Sequence, residues 1–140
     1  MKHTLCYLFI MLSIGSIAQT SKSEKMINET ITKFMLAGDS NDTESLKSLL
    51  NDNFRITMNQ LFGSSEVSTV DKSFYLSKIQ SKEWGGDQRQ ITIEDVVIVG
   101  KNASAKVTSF GQKSTMVSLL QLVQTASGSW QIVSDLPAMK

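Results

Sequence analysis

Residues 89–133 read RQITIEDVVIVGKNASAKVTSFGQKSTMVSLLQLVQTASGSWQIV, and their period decides the fold. Ile91, Ile93 and Asp95 alternate with Thr92, Glu94 and Val96 up to an apolar end at Val99. Gly100-Lys101-Asn102 is a turn, after which Ala103, Ala105 and Val107 resume the alternation. Thr115 to Thr125 is a long stretch rich in Val and Leu. Ser127-Gly128-Ser129 turns again into Trp130 and Ile132, with Leu136 on the same parity before Pro137. Successive side chains of a strand point to opposite faces, so a period of two marks strands with one buried face. The turn residues between them join the strands as antiparallel hairpins.

Upstream the period changes to that of helices. Met26, Ile27, Ile31, Phe34 and Met35 recur at helical spacing behind Ser21-Lys22-Ser23-Glu24, which has the form of a capping box. Gly38 is placed to end this helix in the left-handed conformation. Asn41 or Asp42 caps a second helix carrying Leu46, Leu49 and Leu50, too short to stand without docking on something larger. Phe54, Ile56 and Met58 then alternate as a strand, Gly63 breaks it, and Glu66 to Val70 is a short extended return. Asp71 caps a third helix with Phe74, Tyr75, Leu76 and Ile79, and Gly85-Gly86 forms a corner after Trp84. Helices first and long strands second give an α+β class. N-terminal helices pack in the concave face of a strongly curved antiparallel sheet, and the open end of that cone is a natural apolar pocket.

The N-terminus has the three parts of an export signal: Met1-Lys2-His3, an apolar run from Leu5 to Ile14, and small residues at Gly15-Ser16-Ile17-Ala18. Cleavage after Ala18 is expected, leaving 19–140 as a single domain in a bacterial periplasm or outside the cell. The apolar run is shorter than the roughly 20 residues a membrane span needs, so no stable span is expected after cleavage. The only cysteine, Cys6, and the only histidine, His3, leave with the signal. Thiol and imidazole chemistry, disulfides and ordinary zinc sites leave with them, and no metal or cofactor is expected. The leader holds one of the 14 basic residues and none of the 13 acidic ones, so the remainder is balanced. Arg55 and Arg89 are the only arginines, and no basic stripe suited to nucleic acid is present.

Ala37-Gly38-Asp39, Asp42, Leu46, Leu49-Leu50, Phe54-Arg55, Asp71-Lys72, Tyr75-Leu76, Gly85-Gly86, Arg89 and the closing Gly128-Ser129-Trp130-Gln131-Ile132-Val133 form an ordered series. The series resembles the nuclear transport factor 2-like (SnoaL-like) superfamily of cystatin-like cones. Within it the chain is most similar to the small exported bacterial group named "putative lumazine-binding". The resemblance implies a pocketed cone that often pairs through the outer face of its sheet, so a homodimer is one expectation. It implies no single activity, because the fold hosts isomerases, dehydratases, cyclases, binders and interaction modules.

Each candidate site residue carries two readings. Phe34, Phe54, Tyr75, Trp84, Met116 and Leu120 line a cavity for a small, partly apolar molecule, or they simply fill it. A non-catalytic binder of such a molecule, or of a protein partner, is the leading function. The alternative is a cofactor-free lyase or isomerase. There Asp95, desolvated inside the cone, would act as general base, and the Tyr75 phenol would stabilise an oxyanion. The bland counterpart has Asp95 at a strand bulge facing water beside Glu94, and the Tyr75 ring in the core. Trp84 is a lid over the mouth or a fixed plug. Arg55 and Arg89 clamp an anion or pair with acids such as Glu66 or Glu94. A third possibility is a structural dimer with no pocket.

Overall fold

The computed structural model describes the backbone from residue 4 and the side chains from residue 19 to the C-terminus. The expected cleavage after Ala18 therefore lies outside the residues with described side chains. Helix α1 spans Thr4–Asp39, α2 Thr43–Leu49 and α3 Lys72–Gln80; the strands are β1 Leu50–Asn59, β2 Val67–Asp71, β3 Gln90–Val99, β4 Asn102–Phe110, β5 Thr115–Gln124 and β6 Trp130–Met139. No helix among the described residues is long and apolar enough to cross a membrane.

The six strands form one sheet in the order β2-β1-β6-β5-β4-β3. Strands β3 to β6 are the antiparallel meander expected from the hairpin spacing. Strand β1 returns beside β6 in parallel, the one pairing that the period alone did not foresee, and β2 closes that edge antiparallel. The helices cover one face. Ile27, Ile31, Phe34 and Met35 of α1 pack with Leu46, Leu50, Phe54, Tyr75 and Ile79, and with Ala105, Val107, Leu120, Leu122, Trp130 and Ile132 of the sheet.

The caps of the two short helices form as their sequences require. The Asp42 side chain accepts from the Ser45 amide, and the Asp71 side chain from the Phe74 amide. At α1 two expectations fail. The helix runs through Ser21 to Glu24 unbroken, so no capping box starts it there. The left-handed residue at its end is Asn41, at φ 55°, and not Gly38, which lies inside the last turn. Asparagine is among the few residues other than glycine that adopt that conformation readily, and here its amide finds partners across the fold. Its Nδ2 donates to the Ile79 carbonyl at 3.0 Å and the Trp84 carbonyl at 2.8 Å, clasping the α1–α2 turn to the loop after α3.

Two strands carry one extra residue each. In β3 the pairing steps from Glu94↔Lys106 to Val97↔Ser104; in β6 it steps from Leu122↔Ile132 to Gln121↔Ser134. Such a bulge switches which parity faces the core. Before the β3 bulge Ile91 and Ile93 face inward, and after it Val96 and Ile98 do. Before the β6 bulge Trp130 and Ile132 are buried, and after it Asp135 and Pro137. Leu136, expected on the face of Trp130 and Ile132, is 42% exposed on the other side.

Candidate functional site

Between the helices and the inner face of the sheet the cone holds an open cavity of about 460 Å³. Apolar side chains form most of its wall: Phe34, Met35, Ile56, Met58, Ile79, Trp84, Met116 and Pro137. Three of these are methionines, whose flexible thioethers adapt to irregular shapes. Four of the six expected lining residues, Phe34, Tyr75, Trp84 and Met116, do line it. Phe54 and Leu120 do not: both are fully buried and belong to the core. Phe54 nevertheless sets the wall, its ring centroid 5.6 Å from Tyr75 and 6.5 Å from Phe34.

Trp84 is held in place. Its ring packs 6.1 Å from Phe74 and 6.2 Å from Tyr75, its amide donates to the Lys78 carbonyl, and its carbonyl accepts from Asn41. Of the two readings, the plug fits these bonds. Gly85, at φ 78°, follows it, and a side chain there would collide with the Gly38 carbonyl.

Three of the cavity's polar side chains come from different directions. Tyr75 projects from α3, Arg89 from the start of β3, and Asp135 from β6. Arg89 Nε donates to Asp39 Oδ1 at 2.5 Å and its Nη2 to the Met35 carbonyl at 3.3 Å, so its partner is Asp39 and not Glu66 or Glu94. Gly38 leaves room for this: a Cβ on it would stand 3.2 Å from Arg89 Nη2 and 3.7 Å from the Tyr75 hydroxyl. Arg55 is outside the cavity and donates to the Phe54 carbonyl. At the rim the Asp87 carboxylate accepts from the amides of Gln88, Gln112 and Lys113. Desolvation is the largest single influence on it and pushes upward, but those amides and the Lys113 charge together hold its pKa below the usual value.

Asp95, the expected general base of the alternative reading, does not reach the cavity. It is the extra residue of the β3 bulge, at φ 53°, with its side chain in solvent and 3.5 Å from the Lys106 ammonium. The acid inside the cone is Asp135, which the strict period-two reading of β6 passed over. It is 9% exposed, and its Oδ1 is buried without a hydrogen-bond partner. Burial pushes its pKa up to about 6, against the opposing pull of the Ser118 hydroxyl on β5 and the Arg89 charge. Burial also raises the Tyr75 phenol above its ordinary value, with the Asp135 and Asp39 charges adding to the rise and Arg89 opposing it. Tyr75 is thus a neutral donor, and its hydroxyl has no hydrogen bond to any described residue. Among the described residues no three His, Cys, Asp or Glu side chains are grouped to hold a metal.

A curved sheet wrapped round helices, with a pocket open at one end, is the fold of the nuclear transport factor 2-like structures. The chain belongs to the family described as "Putative lumazine-binding", whose profile matches residues 22–136. Solved structures agree on the fold. An NTF-2 like protein of unknown function from Silicibacter pomeroyi DSS-3 has a TM-score of 0.75 at 15% identity, over 86% of this chain and 98% of that one. A "putative ketosteroid isomerase" from Shewanella frigidimarina NCIMB 400 has 0.62 at 18%, over 81% and 94%. A "putative dehydratase" of the NTF2-like family from Streptomyces avermitilis has 0.65 at 16%, over 86% and 98%. No curated protein sequence matches the chain.

Proposed function

We propose that this is an exported, non-catalytic binder of a small, partly apolar molecule held in the cone. The observation that carries the proposal is a mainly apolar cavity with Asp135 and Tyr75 in its wall, where Asp135 Oδ1 is buried without a partner and the Tyr75 hydroxyl bonds no described residue. Leaving a buried polar atom unpaired costs on the order of 1–3 kcal/mol, so a ligand that satisfies it gains that much in selectivity. Above pH 6 the Asp135 carboxylate accepts, and Tyr75 donates. Their complement is a neutral heterocycle with an adjacent N–H and C=O, as in an amide or lactam edge. Lumazine, named in the family's description, has such an edge on two fused rings and is the first compound to try.

Native mass spectrometry of protein taken from its own host envelope tests the proposal. A small molecule bound to wild type and lost from the cavity-filling variant Met116→Trp is expected; a ligand-free spectrum, with no lumazine binding by calorimetry, would refute it. Export is checked by the mature N-terminus, expected at Gln19. Sedimentation tests whether two copies pair through the outer sheet face, where Val97, Leu119 and Leu136 are exposed.

One observation favours a second reading. A buried acid whose pKa is pushed up to about 6, lining the same cavity as a phenol, suits proton transfer next to a carbonyl. In that cofactor-free lyase or isomerase Asp135, and not Asp95, would be the base, and Tyr75 would hold the oxyanion. Asp135→Asn separates the two: turnover lost with binding retained would identify the enzyme.

A further inference from the structure

The loop between β1 and β2 carries Leu61 and Phe62 to the cavity wall, and the two behave differently. Leu61 is 7% exposed, whereas Phe62 is 70% exposed although it lines the same cavity. The other aromatic rings of the wall, Phe34, Tyr75 and Trp84, all engage ring partners; Phe62 engages none. Its backbone is also left-handed, at φ 54°, between Gln60 at 52° and Gly63 at 83°. Phenylalanine has no short polar side chain to offset that conformation, and non-glycine residues so held cluster at ligand clamps. The loop is tied by two backbone bonds, Gln60 N to the Glu66 carbonyl and Ser64 N to the Leu61 carbonyl. Nothing crowds its tip at Gly63.

Building on the ligand-binding reading, we infer that Phe62 is a specificity-determining flap residue whose ring closes from the mouth onto the planar face of the bound molecule. The exposed ring then gains a partner, and the ligand is held between Phe62 and the aromatic wall of Phe34, Tyr75 and Trp84. The flap favours flat aromatic or heteroaromatic ligands over flexible chains of equal volume, because ring-on-ring contact adds to simple burial. It also sets how long the ligand stays, since the molecule cannot leave until the ring swings out.

The probe is 1-anilinonaphthalene-8-sulfonate, followed by fluorescence titration and stopped-flow dissociation, with thermal melts as a check on folding. Wild type is expected to bind it in the cavity, with binding abolished by Met116→Trp or, should that variant misfold, by Met58→Trp. Phe62→Ala and Phe62→Gly are expected to weaken binding about tenfold, mostly through faster dissociation, and Phe62→Trp to restore it. The glycine variant isolates the ring from the backbone, because glycine adopts the left-handed conformation freely. Affinity retained within about twofold in Phe62→Ala would overturn the flap while leaving the pocket intact. Retention in Phe62→Gly alone would make loop shape, not the ring, the active feature and would also overturn it. Dye binding unaffected by either filling variant would remove the pocket reading, and the flap with it.

Discussion

Strands β3 and β6 each hold one aspartate in a mainly apolar stretch, and each strand has one extra residue, yet the two acids end in opposite places. Asp95 is itself the inserted residue, so the bulge pushes it out to water and hands the inner face to Val96 and Ile98. In β6 the insertion comes earlier, between Ile132 and Asp135, and turns Asp135 inward. One acid pairs loosely with Lys106; the other is buried with an unpaired oxygen at the wall of a cavity. The position of the extra residue relative to each aspartate sets which of the two faces the cavity.

The comparison breaks most visibly at Asp135. Its folded pKa, about 6, lies above the ordinary value of 3.8. Between those values the native chain holds a proton that the unfolded chain has released, so this group's contribution is fully present below pH 4 and is lost as pH rises through 6. About two pH units correspond to on the order of 3 kcal/mol. Asp135→Asn is therefore expected to flatten the pH dependence between 4 and 7, matching wild type in acid and exceeding its stability by up to about that amount at pH 8. Urea titrations across this range measure it, and equal slopes in the two proteins would contradict it.

At Asp95 the effects are smaller and come from the backbone. Asp95→Val puts a β-branched residue at positive φ and is expected to cost about 1–2 kcal/mol. Asp95→Gly should be neutral or stabilising by a few tenths, and Asp95→Asn should stay within about 0.5 kcal/mol. None of the three should alter dye or ligand binding. A large loss on removing only the Asp95 charge would mean that the outer face has a role of its own.

Much of this molecule was readable before any coordinates, because the controlling signals are local. The capping aspartates Asp42 and Asp71, the alternation of Phe54, Ile56 and Met58, and the turns at Gly100 and Gly128 each follow from a few neighbouring residues. Phe34, Tyr75, Trp84 and Met116 were legible as inward-facing for the same reason. Depth was not: whether an inward ring such as Phe54 lines a hollow or fills it depends on elements distant in sequence. A bulge is harder still. Strict alternation carried Ile91 and Ile93 on to Asp95, and carried Trp130 and Ile132 on to Leu136. In both strands one added residue reversed the outcome. Pro137, a residue at home on edges and next to bulges, was the only local hint that β6 departs from a regular strand. The parallel placement of β1 beside β6 was invisible for a similar reason, since it joins segments some 80 residues apart.

The most direct test is a carbon-detected NMR titration of the Asp135 side-chain carboxyl in the ligand-free protein. A midpoint near 6 is expected, moving on addition of a ligand that hydrogen-bonds Oδ1. A midpoint at or below 4, unchanged by any ligand, would place that carboxylate in water or against a hidden partner and contradict the assignment of Asp135 to a desolvated position in the cavity wall.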